Sequence, residues 1–265
     1  MFETTSKRFG VLGWPVAHSR SPQMHAAAFA ALGLDGWRYQ LLPVPPELFA
    51  ETVRALPGAG FVGANVTVPH KEAALALADE ASATARAIGA ANTLSFRANG
   101  SIAADNTDAP GLIAALPVPV EGRSALVLGA GGSARAAVYA LRAAGAREVA
   151  VWNRTRERAE ALVGALGGRV AAEVEGADVL VNCTTVGLDD AEALAVDEGA
   201  LDGFGAVVDL VYRPGGTALV RAAQERGLPW VDGLEVLVQQ GALSFEIWTG
   251  VAAPVDVMRD AARVA

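Results

Sequence analysis

The chain has 265 residues, of which 52% are hydrophobic and 19% charged, and its formal net charge at pH 7 is -8. This length suits one large domain or two moderate ones, and the acidic balance excludes a general nucleic-acid-binding surface. The single cysteine, Cys183, excludes an intrachain disulfide, and no segment offers about eighteen uninterrupted apolar residues. We therefore expect a soluble protein of the reducing cytoplasm, with Cys183 as a small core residue.

Strand-like and helix-like segments alternate over the first 116 residues, as is typical of an α/β domain. The pattern predicts, in chain order, a strand at 8–12, a helix at 23–32, a strand at 37–43, a helix at 47–56, a strand at 61–68 and a helix at 71–78. Asn99-Gly100 separates strand-like runs at 91–96 and 102–104, and this dipeptide predicts a hairpin. A helix at 109–116 and prolines at 117 and 119 then indicate a domain junction.

A strand, a glycine-rich turn, a helix and a second strand follow one another between residues 124 and 155. Gly129 and Gly131 stand where a tight turn and a close approach to a pyrophosphate are needed, and Ala134 takes the small position where the helix touches the strand. The N-H groups that begin the helix suit a phosphate. An ordinary strand-turn-helix is the alternative, but Gly145 at the expected helix end favours the nucleotide-binding unit.

The end of the second strand indicates which dinucleotide this unit binds. The acidic residue that normally holds a ribose 2'-hydroxyl is replaced by Asn153-Arg154-Thr155, and Arg158 lies one helical turn beyond Arg154. Arginine at this place favours a 2'-phosphate, so the sequence predicts NADP.

Further buried strands are predicted at 178–183 and 206–210, and a long apolar helix at 236–248. The fold class is therefore α/β with two domains. We place an α/β substrate-binding and catalytic domain at 1–116, a Rossmann-type, doubly wound NADP-binding domain at 117–235, and a helical segment at 236–265 that returns to the first domain.

Three polar clusters in the first half follow strand-like runs, where open α/β sheets bind their ligands. In the first, Ser19 and Ser21 alternate along an extended segment and could both face a carboxylate. Helix capping is the alternative, since Ser21 precedes Pro22.

The other two clusters contain candidate acid–base groups. Thr67, His70 and Lys71 surround a proline-enforced turn, and Lys71 is the candidate that passes a proton to a developing alkoxide, although spacing does not separate it from His70. Asn92 and Asp108 lie in the third cluster, and a carboxylate facing Lys71 would hold its ammonium in place. Histidine and cysteine spacings suit no metal, so we expect metal-free chemistry.

Taken in order, these motifs resemble shikimate dehydrogenases over nearly the whole length. The motifs that carry the resemblance are GWPVAHSRSP at 13–22, NVTVPHK at 65–71, GAANT at 89–93, NTD at 106–108, GAGG at 129–132, NRT at 153–155 and the segment 240–250. The resemblance implies NADPH-dependent, reversible reduction of 3-dehydroshikimate to shikimate, a step of aromatic amino acid biosynthesis.

The resemblance also implies a role for each residue that matches the family motifs. Lys71 and Asp108 match the catalytic pair. The substrate carboxylate is assigned to Ser19, Ser21 and Tyr212, and the ring hydroxyls to Thr67, Asn92, Asp108 and Gln240. Cofactor binding is assigned to Gly129, Ala130, Gly131, Gly132, Ser133 and Ala134 at the pyrophosphate, Asn153, Arg154, Thr155 and Arg158 at the adenosine phosphate, and Leu210 and Gly233 near the nicotinamide.

Alternatives remain open at this point. A quinate or dual quinate/shikimate dehydrogenase would keep the catalytic pair, although Arg154 disfavours NAD and Ser21 in place of threonine favours shikimate. A regulatory NADP-binding module would have lost Lys71, Asn92 or Asp108, all of which are present. A one-carbon folate dehydrogenase fits the hydroxyl-rich site less well. We expect a small-molecule substrate, no nucleic-acid or membrane partner, and a monomer or homodimer.

Overall fold

The computed structural model describes residues 6–264, which form two compact units. The first combines the chain up to Thr107 with Leu237–Val264, and the second is Asp108–Val236. The division after Thr107 precedes the junction drawn at 116/117 in the sequence, because the helix that follows Thr107 packs against a helix of the second unit.

A six-stranded mixed sheet forms the first unit. Its strands are β1 (Arg8–Gly13), β2 (Arg38–Pro43), β3 (Phe61–Val66), β4 (Glu80–Ala81), β5 (Thr93–Phe96) and β6 (Ile102–Asp105). The spatial order is β2-β1-β3-β5-β6-β4, with β1 parallel to both neighbours and β5 antiparallel to β3 and β6. The hairpin predicted at Asn99-Gly100 is confirmed: Gly100 has φ +85°, and the Asn99 side chain accepts the Ser101 N-H at 3.0 Å.

Four helices connect these strands: α1 (Ser21–Ala31), α2 (Phe49–Ala55), α3 (Lys71–Leu77) and α4 (Ala83–Ile88). A 3₁₀ turn at Pro46–Leu48 precedes α2, so the α-helix predicted from residue 47 starts two residues later. Helix α4 has local start and stop signals, because the Ser82 hydroxyl accepts the Ala85 N-H and Gly89 ends the helix at φ +75°.

The second unit is a six-stranded, wholly parallel sheet. Its elements are α5 (Asp108–Ala115), β7 (Ser124–Leu128), α6 (Gly132–Ala143), β8 (Glu148–Trp152), α7 (Arg156–Leu166), β9 (Arg169–Val170), β10 (Val179–Asn182), β11 (Val207–Asp209), α8 (Ala218–Glu225) and β12 (Trp230–Val231). The spatial order is β12-β11-β10-β7-β8-β9. The chain adds β8 and β9 on one side of β7 and then β10, β11 and β12 on its other side, so the predicted doubly wound, Rossmann-type fold is confirmed. The central strands are apolar and buried.

Two C-terminal helices follow, α9 (Gly233–Thr249) and α10 (Val255–Arg263). From Leu237 onward they belong to the first unit, where α10 packs on α1 and the Trp248 indole N-H donates to the Leu94 carbonyl at 3.0 Å. No helix within residues 6–264 is both long and apolar enough to cross a membrane.

An aromatic cluster fills part of the first unit's core around His25. The imidazole is fully buried and stacks on Tyr39 with ring centroids 4.3 Å apart, while Phe29, Phe245 and Trp248 surround it. Neither ring nitrogen has a hydrogen-bond partner among the described residues, and burial lowers the pKa of His25 to about 3. His25 is therefore a neutral core side chain.

Candidate functional site

The sheet order of the first unit brings the three predicted polar clusters to one edge. The carboxyl ends of the parallel strands β1, β3 and β6 lie at this edge, and so does the amino end of β5, which runs the opposite way. The chain leaves these strands toward Ser19, Thr67 and Thr107, and Asn92 immediately precedes β5. We call this the polar edge of the first unit.

The two serines after β1 have their hydroxyls side by side. The Ser19 hydroxyl donates to Ser21 Oγ at 3.2 Å and accepts the Ser21 backbone N-H at 3.3 Å, and both residues are buried. Ser21 is the first residue of α1 and Arg20 is the N-cap, without a capping side-chain bond. The alternative that Ser21 caps the helix is therefore wrong, and the paired hydroxyls form a compact polar set that suits a carboxylate.

The structure distinguishes the two candidate bases that follow β3. His70 is buried and its Nε2 lies 2.7 Å from the Val44 carbonyl, which only accepts, so Nε2 carries the proton. The imidazole stacks on Phe49 at 4.4 Å, and its pKa is lowered by burial, with the Val44 hydrogen bond acting in the opposite direction. His70 thus packs the core, whereas Lys71 remains the candidate acid–base group.

Lys71 and Thr67 are held at the polar edge by backbone contacts. Lys71 is the first residue of α3, is mostly buried, and its carbonyl accepts the Ala91 N-H at 2.8 Å, next to Asn92. The Thr67 N-H donates to the Leu12 carbonyl at 2.8 Å, which joins the ends of β1 and β3. These bonds fix the backbone from which both side chains project.

Two residues that are predicted to bind the substrate, Asn92 and Gln240, are hydrogen-bonded to each other. Asn92 Nδ2 donates to Gln240 Oε1 on α9 at 3.1 Å and to the Thr107 hydroxyl at 2.9 Å. Asn92 Oδ1 accepts the Thr107 N-H at 2.7 Å, and Gln240 Nε2 donates to the Leu237 carbonyl at 2.7 Å. Both amides are therefore held in fixed orientations at the polar edge.

Behind this pair lies a buried network that the sequence analysis missed. The Tyr39 hydroxyl donates to Asn65 Oδ1 at 2.8 Å, and Asn65 Nδ2 donates to the Ser244 hydroxyl at 2.8 Å. Ser244 Oγ lies 2.9 Å from Thr93 Oγ1 and donates to the Gln240 carbonyl at 3.1 Å. The available signal was the four-residue spacing of Gln240 and Ser244, which puts them on one face of α9.

The remaining predicted catalytic and substrate residues belong to the second unit. Asp108 is the half-buried first residue of α5, and Tyr212 is half-buried in the loop after β11. Leu210 begins that loop and lies against Gly233, where a Cβ would collide with the Leu210 carbonyl.

The glycine turn after β7 leaves room for a dinucleotide phosphate. Gly129 has φ +104°, a conformation that favours glycine, and a Cβ added to Gly131 would meet no atom within 4 Å. Helix α6 begins at Gly132, so its N-terminal N-H groups lie at this turn, and Ala134 is fully buried against the sheet. Ala130 and Ser133, half-buried, complete the turn.

A neighbouring loop closes against this turn. A Cβ at Gly129 would lie 3.2 Å from both the carbonyl carbon and oxygen of Cys183. Cys183 is half-buried, so its assignment as a core residue is wrong; it lies in the loop that borders the glycine turn.

The end of β8 has the features expected of a 2'-phosphate site. Arg154 and Arg158 are exposed, and neither has an ion-pair or hydrogen-bond partner through its side chain within residues 6–264, whereas Arg156 pairs with Glu160 at 2.8 Å. The Asn153 amide donates to the Thr155 carbonyl at 2.7 Å and shapes the turn. Two guanidinium groups without a side-chain partner among the described residues, next to a strand end that carries Asn153 in place of an acidic residue, fit NADP. Among the described residues, no group of three or more His, Cys, Asp or Glu side chains could hold a metal ion.

Three family descriptions match successive parts of the chain. They are the shikimate dehydrogenase substrate binding domain at residues 11–94, shikimate / quinate 5-dehydrogenase at 114–186, and the shikimate 5'-dehydrogenase C-terminal domain at 233–263. The shikimate dehydrogenase (NADP(+)) of Paracoccus denitrificans is 47% identical over 261 residues, which cover 93% of this chain and 92% of the relative.

Solved structures agree with these matches. The shikimate 5-dehydrogenase of Thermus thermophilus, solved in complex with NADP(H) and shikimate, is 46% identical with a TM-score of 0.89, covering 97% of this chain and 98% of the other. A 5-ketofructose reductase of a Gluconobacter species is 31% identical with a TM-score of 0.85, covering 97% and 98%. One fold thus serves relatives named for different substrates.

Proposed function

The chain belongs to the shikimate dehydrogenase family and is an NADP-dependent oxidoreductase, and from this premise we propose that it reversibly reduces 3-dehydroshikimate to shikimate. Shikimate formation is a step of aromatic amino acid biosynthesis. The observation that carries the proposal is the meeting of the serine pair, Thr67, Lys71 and Asn92 at one edge of one sheet. This edge offers separate groups for a carboxylate, ring hydroxyls and a reacting oxygen.

Substrate binding is assigned by the chemistry of each group. Ser19 and Ser21 donate to the substrate carboxylate, with Tyr212 as a third donor. Thr67, Asn92 and Gln240 bind ring hydroxyls, as the family resemblance implies. The Asn92–Gln240 hydrogen bond keeps the two amides oriented before substrate arrives, which lowers the entropy cost of binding.

Proton transfer is assigned to Lys71, with Asp108 as its acid–base partner as the family resemblance implies. Reduction of a ketone places negative charge on its oxygen, and a lysine ammonium neutralises this charge by donating a proton. In the oxidative direction, Lys71 takes the hydroxyl proton. The burial of the His70 imidazole between Val44 and Phe49 supports Lys71 rather than His70 in this role.

Cofactor binding is assigned to the second unit. The turn at 129–134 would hold the pyrophosphate, Asn153, Arg154, Thr155 and Arg158 would hold the 2'-phosphate, and Leu210 and Gly233 would border the nicotinamide. When bound, NADPH supplies the hydride and the protein supplies orientation and the proton.

The test is an initial-rate assay by nicotinamide absorbance, with shikimate and quinate each paired with NADP and NAD. Shikimate with NADP well ahead of the other three pairs is the expected result. A faster rate with quinate or with NAD would replace the proposal by a quinate or dual dehydrogenase, an alternative that the shikimate / quinate description matching residues 114–186 also covers. No activity with any pair would contradict the proposal.

We also propose a cytoplasmic location and, as the second point, a monomeric or homodimeric state. Light scattering of the purified protein measures the second, and a tetramer or larger assembly would contradict it.

A further inference from the structure

A carboxylate with no assigned role is buried at the end of β11. Asp209 is fully buried and accepts hydrogen bonds from three separate places. Asn182 Nδ2 donates to its Oδ1 at 2.9 Å, the Val211 N-H donates to the same oxygen at 3.0 Å, and the Thr217 hydroxyl donates to Oδ2 at 2.6 Å. All three donors require an acceptor at this position, which an ionised carboxylate provides.

These bonds close the loop that carries Tyr212. Asp209 ends β11 and Thr217 caps α8 by accepting the Val220 N-H at 3.2 Å, so the 2.6 Å bond between them joins the two ends of the segment 210–216. Within the segment, Gly215 and Gly216 have φ of +79° and +78°. A loop with two such glycines gains its fixed shape from the bonds at its ends.

The same carboxylate connects this loop to the glycine turn. Asn182, which donates to Asp209, accepts both the N-H and the hydroxyl of Thr184 through its own Oδ1, at 3.0 and 2.7 Å. The adjoining Cys183 backbone lies against Gly129. Farther out, Arg213 Nη1 donates to the Gly187 carbonyl at 3.1 Å and joins the two loops again. Three loops at the carboxyl ends of β7, β10 and β11 thus share one anchor.

Burial of the Asp209 carboxylate costs free energy, whereas burial of an apolar residue at this position would not. Burial raises the pKa of Asp209 to about 6, against the lowering effect of its three hydrogen bonds, and the charge of Asp232 adds to the rise. A valine would continue the apolar run Val207-Val208 without such a cost. What valine lacks is the ability to bind three donors from three segments.

We propose that Asp209 is a positioning residue: through Asn182 and Thr217 it sets the shape of the loop that presents Leu210 and Tyr212 to cofactor and substrate. The inference rests on the proposed function for the roles of Leu210 and Tyr212. Without the bonds to Asp209, the side chains of Leu210 and Tyr212 are still present, but they occupy more conformations. Binding of cofactor and substrate is therefore weaker.

The first experiment does not depend on the substrate. We would measure hydrogen exchange of segment 210–216 in the parent, Thr217→Val and Thr217→Ser. The Kd of NADPH for the same three proteins would be measured from NADPH fluorescence. Val removes both the donor to Asp209 and the acceptor of the Val220 N-H at nearly constant volume, and Ser keeps both. We expect faster exchange and a Kd raised roughly tenfold in Thr217→Val, as for one lost charge-assisted hydrogen bond, with both restored in Thr217→Ser. Unchanged exchange and Kd in Thr217→Val would overturn the inference.

A double-mutant cycle then separates positioning from a merely structural role. If Thr217 acts through Tyr212, Thr217→Val raises the KM for shikimate in the parent but raises it no further in a Tyr212→Phe background, while kcat changes less. Additive effects on KM, or a lower melting temperature with unchanged KM, would contradict the proposal. A parent that binds NADPH but shows no shikimate activity would instead contradict the proposed function, and the exchange and Kd results would still decide the inference.

Discussion

Acidification is expected to destabilise the protein through His25. The imidazole is fully buried in the aromatic cluster, and burial lowers its pKa from 6.5 to about 3. Between these two values the unfolded chain binds a proton that the folded chain does not, so the stability due to His25 is complete above pH 6.5 and falls as the pH is lowered toward 3.

The size of the effect follows from the pKa difference. At pH 5 the solution is one and a half units below 6.5, and each unit is equivalent to about 1.4 kcal/mol, so His25 lowers the free energy of unfolding by about 2 kcal/mol relative to pH 8. Asp209 acts in the opposite direction, because its raised pKa makes the folded state hold the proton more tightly, and from pH 8 to 5 it adds about 1.4 kcal/mol. Comparison with a His25 variant removes this second contribution.

The assay is urea unfolding of the parent and His25→Phe at pH 8, 6 and 5. Phenylalanine keeps a ring against Tyr39 but does not titrate, so the variant should lose about 2 kcal/mol less than the parent between pH 8 and 5. Phe245→Leu, in the same cluster, is the matched control, and should lower stability by about 1 kcal/mol equally at each pH. The reasoning is refuted if the parent and His25→Phe lose the same free energy on acidification.

Three further substitutions test the site and the fold. Lys71→Ala should lower kcat by about 100-fold or more with a smaller rise in the KM for shikimate, and an unchanged kcat would remove Lys71 from proton transfer. Arg154→Ala should raise the KM for NADP by roughly 10- to 100-fold and change the KM for NAD little. The control is Arg156→Ala, because the Arg156 side chain already pairs with a glutamate. An equal rise in KM for both cofactors would argue against a 2'-phosphate contact. Gly63→Ala should cost about 1–3 kcal/mol in urea unfolding, because its Cβ would enter the indole ring of Trp248, and unaltered stability would show that the helix shifts freely.

Local signals in the sequence were sufficient for much of the fold. The hairpin at Asn99-Gly100 and the helix end near Gly145 depend on backbone conformations that few residues adopt, so these residues mark them directly. Two-residue strands such as Glu80–Ala81 have no periodicity to detect, and they pair only because the rest of the sheet is already present.

The candidate site was predictable where one segment carries the chemistry and unpredictable where distant segments meet. The order of strand ends explains why Ser19, Lys71 and Asn92 could be grouped from the sequence. The hydrogen bond between Asn65 and Ser244 joins residues 179 positions apart in the chain, and no local sequence pattern predicts it. Nor could spacing choose between His70 and its neighbour, since the choice depends on a carbonyl 26 residues away.

The divided make-up of the first unit has a consequence for synthesis on the ribosome. Its sheet is made early, within residues up to Thr107, but the helix segment that supplies Gln240, Ser244 and Trp248 is made only after the whole second unit. The second unit is continuous from Asp108 to Val236 and has all its strands by then. In the nascent chain, the middle of the protein is therefore able to fold before the beginning, and the polar edge is completed last.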